Sequence, residues 1–181
     1  MAAAEATTEP EWLDRAEKMA AFAYKVASKN GWRIPEYFDE NWEANHEAGK
    51  LLNDGRRYYE GYVTGHSMQL ARFALQVRAG LRSMGWDVPD YLLEMGTELF
   101  ERARVDGWRR TDACPGFSTG VDDEGDPIPG EDEHQQWVVC EGVCAAVAVR
   151  RAMLDDGARV SEVEHFEHCY RSFVDYIHDY L

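Results

Sequence analysis

The sequence predicts an all-α protein built from antiparallel helical hairpins, with a short β-hairpin in one loop. Three observations predict it. Apolar residues recur at helical spacing in five stretches, each stretch ends at a strong stop, and the connections alternate between long and short. Short connections force neighbouring helices to run antiparallel, so the pattern reads as hairpins rather than as isolated helices.

Each element has its own signal. Residues 1–8 read as a frayed tail. Thr8-Glu9-Pro10-Glu11 then has the form of a capping box, with proline in the first turn, where no backbone donor is required. Trp12, Ala16, Met19, Ala20, Ala23, Val26 and Ala27 follow on one face, and Asn30-Gly31 closes the helix. Residues 31–65 are irregular and rich in aromatics. A loop that long inside a folded domain points to function. A second helix is expected from about His66 to Met84, stopped by Gly85. A third starts at Asp87-Val88-Pro89 and ends near Asp106-Gly107.

Residues 107–132 form the second long loop. Within it, Phe117 to Val121 and Pro127-Ile128-Pro129 flank Asp122-Asp123-Glu124-Gly125, as in a short hairpin. A fourth helix spans about Glu133 to Leu154 and stops at Asp155-Asp156-Gly157. The fifth is expected to cap at Ser161-Glu162-Val163-Glu164 and to run to Leu181. It has no C-cap and no polar tail, which predicts a segment of a longer chain, a truncated product or a trimmed one. The two long loops share one end of the bundle in this arrangement, and the site is expected there.

Bulk composition removes several function classes. The chain has 34 acidic and 19 basic residues in 181, a net charge of -15. Phosphate backbones and anionic membrane surfaces would both be repelled. The N-terminus lacks a basic start and a long apolar run, and the longest apolar stretch, Val143 to Val149, is too short to span a bilayer. A cytoplasmic location is the expectation. Cys114, Cys140, Cys144 and Cys169 have no zinc-ribbon spacing and read as buried, reduced thiols. His165, His168 and Cys169 could hold zinc by spacing alone, although a solvated helix face explains them as well, so no metal is expected. No phosphate loop, dinucleotide fingerprint or nucleophile elbow occurs, so no cofactor is expected either.

Three blocks remain that carry chemistry. The first is Gly65-His66-Ser67-Met68-Gln69-Leu70-Ala71-Arg72, a histidine brought by a glycine onto the first turn of a helix. The second, upstream, is Glu36-Tyr37-Phe38-Asp39-Glu40-Asn41-Trp42. The third is Trp137 and Glu141, one turn apart on a single helix face. A lone histidine at a helix start is more often structural. Near neutral pH, however, imidazole is the side chain suited to shuttling a proton.

These blocks, in this order and spacing, resemble the N-acylglucosamine 2-epimerase family of sugar isomerases and epimerases, over roughly residues 11 to 181. The resemblance implies part of an (α/α)6 barrel, a toroid of six helical hairpins, with this chain as one partial, C-proximal catalytic domain over 1–181. It implies a small-molecule sugar substrate and His66 as the catalytic proton shuttle at C2. Gln69 stands where the family pattern has Glu. Trp137 and Glu141 match residues lining the sugar pocket, and Arg56, preferred to Arg57 on spacing, matches a substrate-contacting arginine. His134 lies near a position that is often basic, while Phe38 and Trp42 match loop residues expected to brace rather than bind. The family's second catalytic histidine has no match here. The Gly-His-Ser-x-x-x-Ala-Arg stretch is closer to the mannose and sulfoquinovose isomerase branch, which favours an aldose–ketose isomerase over a 2-epimerase. The other class of reading is a catalytically incomplete remnant, a helical module that binds a carbohydrate or a protein, or that self-associates as a homo-oligomer.

Overall fold

A computed structural model of the chain describes residues 10–45, 48, 61–109, 116–129 and 134–181. Among them are five helices: α1 (Glu11–Lys29), α2 (Thr64–Ser83), α3 (Tyr91–Gly107), α4 (Gln136–Asp155) and α5 (Val160–Tyr180). Four two-residue strands lie in the long connections: β1 (Tyr62–Val63), β2 (Trp108–Arg109), β3 (Gly116–Phe117) and β4 (Gly120–Val121). All five expected helices form, with boundaries within a few residues of those read from the sequence.

The apolar faces explain the packing. From α2, Met68, Ala71 and Leu75 turn inward, and α3 meets them with Leu92, Met95, Leu99 and Phe100. Val138, Val139, Ala145, Ala146 and Val149 of α4 join the same core, and Val163, Phe166 and Phe173 of α5 close it. Each large side chain fully removed from water there stabilises the fold by about 2 kcal/mol. Small residues on α4 let its backbone approach its neighbours closely.

Three local expectations are corrected. On α1 the buried stripe is Leu13, Ala20, Val26 and Ala27, while Trp12 and Met19 are exposed. A seven-residue spacing through Leu13, Ala20 and Ala27 fits the core, so the stripe is rotated by about one position. No side-chain cap bond is present at Pro10, the α1 N-cap, and Thr8 lies outside the described residues. The α5 cap sits two residues earlier than expected. The Arg159 backbone N–H donates to Glu162 Oε2 at 2.6 Å, so Glu162 closes the first turn that Arg159 opens. On α4, Cys140 and Cys144 are exposed rather than buried, because the inner stripe runs through Val138, Val139, Gly142, Ala145, Ala146 and Val149; Cys169 is buried, and Cys114 is outside the described residues.

The long connections do meet at one end, and short antiparallel pairings join them. Tyr62 and Val63 of β1 pair with Val121 and Gly120 of β4, and β2 pairs with β3 through Trp108–Phe117 and Arg109–Gly116. The expected hairpin forms here: Val121 bridges to Pro127, the Asp122 N–H donates to the Asp126 carbonyl at 2.9 Å and the Ile128 N–H to the Gly120 carbonyl at 3.2 Å. Its first arm also pairs with β1. No helix among the described residues is long and apolar enough to cross a membrane.

Candidate active site

The first turn of α2 is pinned before it carries any chemistry. The Thr64 N–H donates to the Thr119 carbonyl at 3.0 Å, and its hydroxyl donates to the Ser118 carbonyl at 2.7 Å. The first bond satisfies a backbone donor that a helix start otherwise leaves unsatisfied, and the second ties the side chain to the same loop. Gly65 follows because no larger residue fits. A Cβ at that position would lie 2.4 Å from two ring atoms of Trp137, so the indole rests directly on the helix backbone.

That contact sets the next one. The His66 imidazole lies 5.3 Å from the Trp137 ring, centroid to centroid, tilted by 39°. The Trp137 indole N–H donates to Gln135 Oε1 at 2.6 Å, fixing the ring's orientation. His66 keeps 43% of its side chain exposed, enough for a small molecule to reach it.

His66 Nδ1 is hydrogen-bonded to Glu36 Oε1 at 2.8 Å, whereas Nε2 has no protein partner among the described residues. Glu36 keeps 17% of its side chain exposed. The hydrogen bond to Glu36 raises the His66 pKa above its ordinary value; partial burial opposes the shift and the carboxylate's charge adds to it.

A second polar row runs one turn further along α2. Glu141 of α4 accepts from Gln69 Nε2 at 3.1 Å, and from Arg72 through Nε at 2.9 Å and Nη2 at 3.0 Å. The fork-to-carboxylate geometry neutralises both charges. Gln69 donates to this carboxylate as an amide can and a glutamate cannot.

The loop that carries Glu36 is anchored by a buried ion pair. Arg33 donates to Asp106 through Nε at 2.7 Å and Nη2 at 3.1 Å, and through Nη1 to the Asp123 carbonyl at 2.8 Å. Asp106 is 4% exposed. Pro35 bridges to Tyr62, just before Glu36. Beyond it, Asp39 Oδ1 accepts the backbone N–H groups of Asn41 and Glu43 and closes a turn. Phe38 and Trp42 pack at 5.6 Å, and Trp42 contacts Phe22 of α1 at 5.0 Å. They hold this turn against α1, as expected of bracing residues.

The structure thus brings His66, Gln69, Trp137 and Glu141 together. Arg56 and Arg57 lie outside the described residues. His134 lies beside Gly116: a Cβ there would fall 2.7 Å from His134 Nδ1 and 2.9 Å from the Tyr176 hydroxyl. Sequence reasoning missed Glu36 and Arg72 as site residues. Arg72 had a signal, since His66, Gln69 and Arg72 recur every three residues on one helix face. Glu36 had only its place in the aromatic block.

No cluster of three or more His, Cys, Asp or Glu that could hold a metal occurs among the described residues. His165 instead pairs with Glu101 at 2.7 Å, and burial pushes the neighbouring Cys169 thiol up to about 11.

A family model described as N-acylglucosamine 2-epimerase (GlcNAc 2-epimerase) matches residues 1–181. A D-mannose isomerase from Thermobifida fusca is 31% identical over 184 residues, a match covering 100% of this chain and 41% of that protein. Another, from Pseudomonas cannabina pv. alisalensis, is 30% identical over 175 residues, covering 96% and 39%. The chain therefore spans about two-fifths of the length of these curated relatives. A crystal structure of D-mannose isomerase superposes with a TM-score of 0.77 at 22% identity, over 96% of this chain and 40% of that one. That likeness shows the fold, five helices forming part of an (α/α)6 barrel.

Proposed function

The chain belongs to the N-acylglucosamine 2-epimerase family, and from that premise we propose that it carries part of the active site of an aldose–ketose isomerase acting on a mannose-type sugar. His66 is the proton shuttle. Its Nε2 takes the hydrogen from C2 of the open-chain aldose as a proton. The C2–H bonding pair becomes the C1–C2 double bond, and the carbonyl pair moves onto O1. The same proton returns from Nε2 to C1, the O2 hydroxyl proton moves to O1, and the C2 carbonyl forms. Atoms balance with no external oxidant or reductant. One histidine on one face of the sugar suffices, because the proton leaves and returns on the same side.

The other residues supply binding. The Trp137 indole stacks on the apolar face of the sugar. Glu141 holds three hydrogen bonds of about four that a carboxylate can accept, which leaves room for one sugar hydroxyl. Gln69 offers its amide oxygen to another. Arg56 extends the same reading to a substrate contact. Because Arg72 already neutralises Glu141, this row suits a neutral hexose. Support rests above all on one juxtaposition, a half-exposed imidazole whose Nε2 has no partner among the described residues, beside a fixed indole face.

The test is mannose–fructose interconversion by this chain beside a His66→Ala variant. A loss of about 100-fold or more is expected on removing a general base. Equal conversion by the variant would remove His66 from the mechanism. A folded chain that converts no sugar would move the function to the second reading, a non-catalytic helical binding module. An apolar groove of about 720 Å³ between α1 and α2, where Met19, Phe22 and Phe73 are exposed, favours that alternative.

A further inference from the structure

We propose that Glu36 is the positioning residue of this site, holding the proton of His66 on Nδ1 and so presenting Nε2 as the nitrogen that meets C2. The catalytic part of this statement rests on the isomerase reading above; the tautomer it assigns rests on geometry alone.

Neutral imidazole has two tautomers, and only the one bare at Nε2 can take a proton there. A carboxylate accepts hydrogen bonds and does not donate them. With Glu36 Oε1 at 2.8 Å from Nδ1, the proton of neutral His66 must therefore sit on Nδ1. When Nε2 takes a second proton, the imidazolium is stabilised by the same carboxylate without any movement of the ring. The arrangement selects the competent tautomer before the reaction and favours the charged intermediate during it.

The loop is built to hold this position. Glu36 sits between the Pro35–Tyr62 bridge and the Asp39 turn, and Arg33, three residues upstream, is clamped to buried Asp106. Its carboxylate thus approaches the imidazole from a segment fixed on both sides. Other titratable groups on the packed elements are Arg72 of α2 and Glu141 of α4, which are committed to each other. Glu36 is the carboxylate that contacts the ring.

A second histidine–carboxylate pair in the chain shows what a merely structural pair looks like. Glu101 meets His165 at Nε2, at 2.7 Å, and the Cys169 sulfur lies 3.7 Å from that same nitrogen. Among the described residues the ring beside it is Phe166, 5.3 Å away, and not an indole. Similar distances therefore occur with the opposite ring nitrogen engaged, and the carboxylate consumes the atom that Glu36 leaves open.

The experiment is nitrogen-15 NMR of the imidazole nitrogens as a function of pH, with mannose–fructose interconversion followed in parallel. It compares the full chain with Glu36→Gln, Glu36→Asp and Glu101→Gln. In the unmodified chain, neutral His66 should be protonated at Nδ1. In Glu36→Gln the amide can donate or accept, so the tautomers should mix and the His66 pKa should fall. The rise of kcat/KM with pH should then move to lower pH, and kcat should drop by about 100-fold with little change in KM. Glu36→Asp should keep the raised pKa and recover part of kcat, whereas Glu101→Gln should match the unmodified chain in both readouts. A His66 tautomer and pKa indifferent to Glu36→Gln would overturn the proposal, even in a chain that converts sugar. A chain that does not interconvert mannose and fructose, yet whose Nδ1 proton depends on Glu36, would overturn the isomerase reading and leave the tautomer assignment standing.

Discussion

The two ends of the helical bundle solve the same problem, joining helices, in opposite ways. At the turn end each connection is a few residues long and closes on local geometry. Gly85 has φ +68° with nothing within 4 Å of where its Cβ would lie, so glycine serves only the backbone there. Asp156, beside the α4–α5 turn, takes Arg78 and Arg82 of α2 together. At the loop end no local device suffices. Its glycine at 65 serves close approach, and its buried ion pair, Arg33 with Asp106, anchors the loop that carries Glu36. The difference teaches where chemistry can sit. A short turn closes on its own backbone and the carboxylate beside it is spent stapling helices, while two long loops packed together can fix a side chain and still leave one of its atoms free.

The largest expected effect compares the two ion-pair staples. Asp106→Asn leaves Arg33, only 12% exposed, without its countercharge, which should cost about 3 kcal/mol of unfolding free energy. It should also release the loop that carries Glu36 and lower any activity of the site. Asp156→Asn should cost less, about 2 kcal/mol: it strands Arg78, 9% exposed, but Asp156 itself is 31% and Arg82 42% exposed, so water replaces part of the pair. Its effect on activity should be negligible. Urea denaturation of both variants measures this, and equal losses would show that the turn end is stapled as firmly as the loop end.

The next effect contrasts the two glycines. Gly65→Ala places a methyl against the Trp137 ring, and overpacking of this kind costs about 2 kcal/mol. Trp137 must shift, so the stacking face beside His66 is lost with it. Gly85→Ala meets no atom and carries only the left-handed backbone penalty, about 1 kcal/mol. Near-ultraviolet circular dichroism should change in the first variant and not in the second. Unaltered aromatic signals in Gly65→Ala would mean that the indole does not depend on the bare helix start.

The ends should also answer pH with opposite signs. The His66 pKa is raised, so the stability it contributes is fully present below its ordinary value of 6.5 and is lost as pH rises through the higher folded value. The Asp156 pKa is lowered, chiefly by the hydrogen bond from Arg78. Its contribution is present above the ordinary value of 3.8 and is lost as pH falls through the lower folded one. Melting temperature against pH should therefore flatten near neutrality in Glu36→Gln and at acid pH in Asp156→Asn. A swap of those two windows would break the assignment of the pairs.

What was legible in the sequence follows the same division. The helices were readable because apolar period and stops are written along the chain, and His66, Gln69, Trp137 and Glu141 fell together because each pair shares a helix face. Arg33 and Asp106 are 73 positions apart and Glu36 and His66 are 30 apart, and no periodicity links residues on different elements. The rotated face of α1 was misread because Trp12 and Met19 look like core by type. Only the packing against α2 and α3 decides that Leu13 and Ala20 go inward. On α4, cysteine's usual burial suggested the wrong side, although the run of small residues already marked the inner face.

The smallest effect concerns Gln69, the one position where the His66 block departs from the family pattern it resembles. At the turn end one carboxylate serves two guanidinium groups; Gln69→Glu would invert that, asking one guanidinium, Arg72, to serve two carboxylates. Gln69 Nε2 lies 3.1 Å from Glu141 Oε1, so the new carboxylate would sit against the old one. Two such groups resist ionising together, and one pKa rises. At pH 7.5 the variant should lose about 0.5 kcal/mol, an amount typical of like charges at helical spacing. Near pH 5 a shared proton should restore the loss, since a protonated Glu donates as Gln now does. The added charge should also push the His66 pKa further up, moving the rise of kcat/KM to higher pH. Melting curves at the two pH values, read beside that profile, check both effects. A variant equally stable at both would mean that Arg72 bridges the pair, and that Glu141 owes its position to the guanidinium rather than to Gln69.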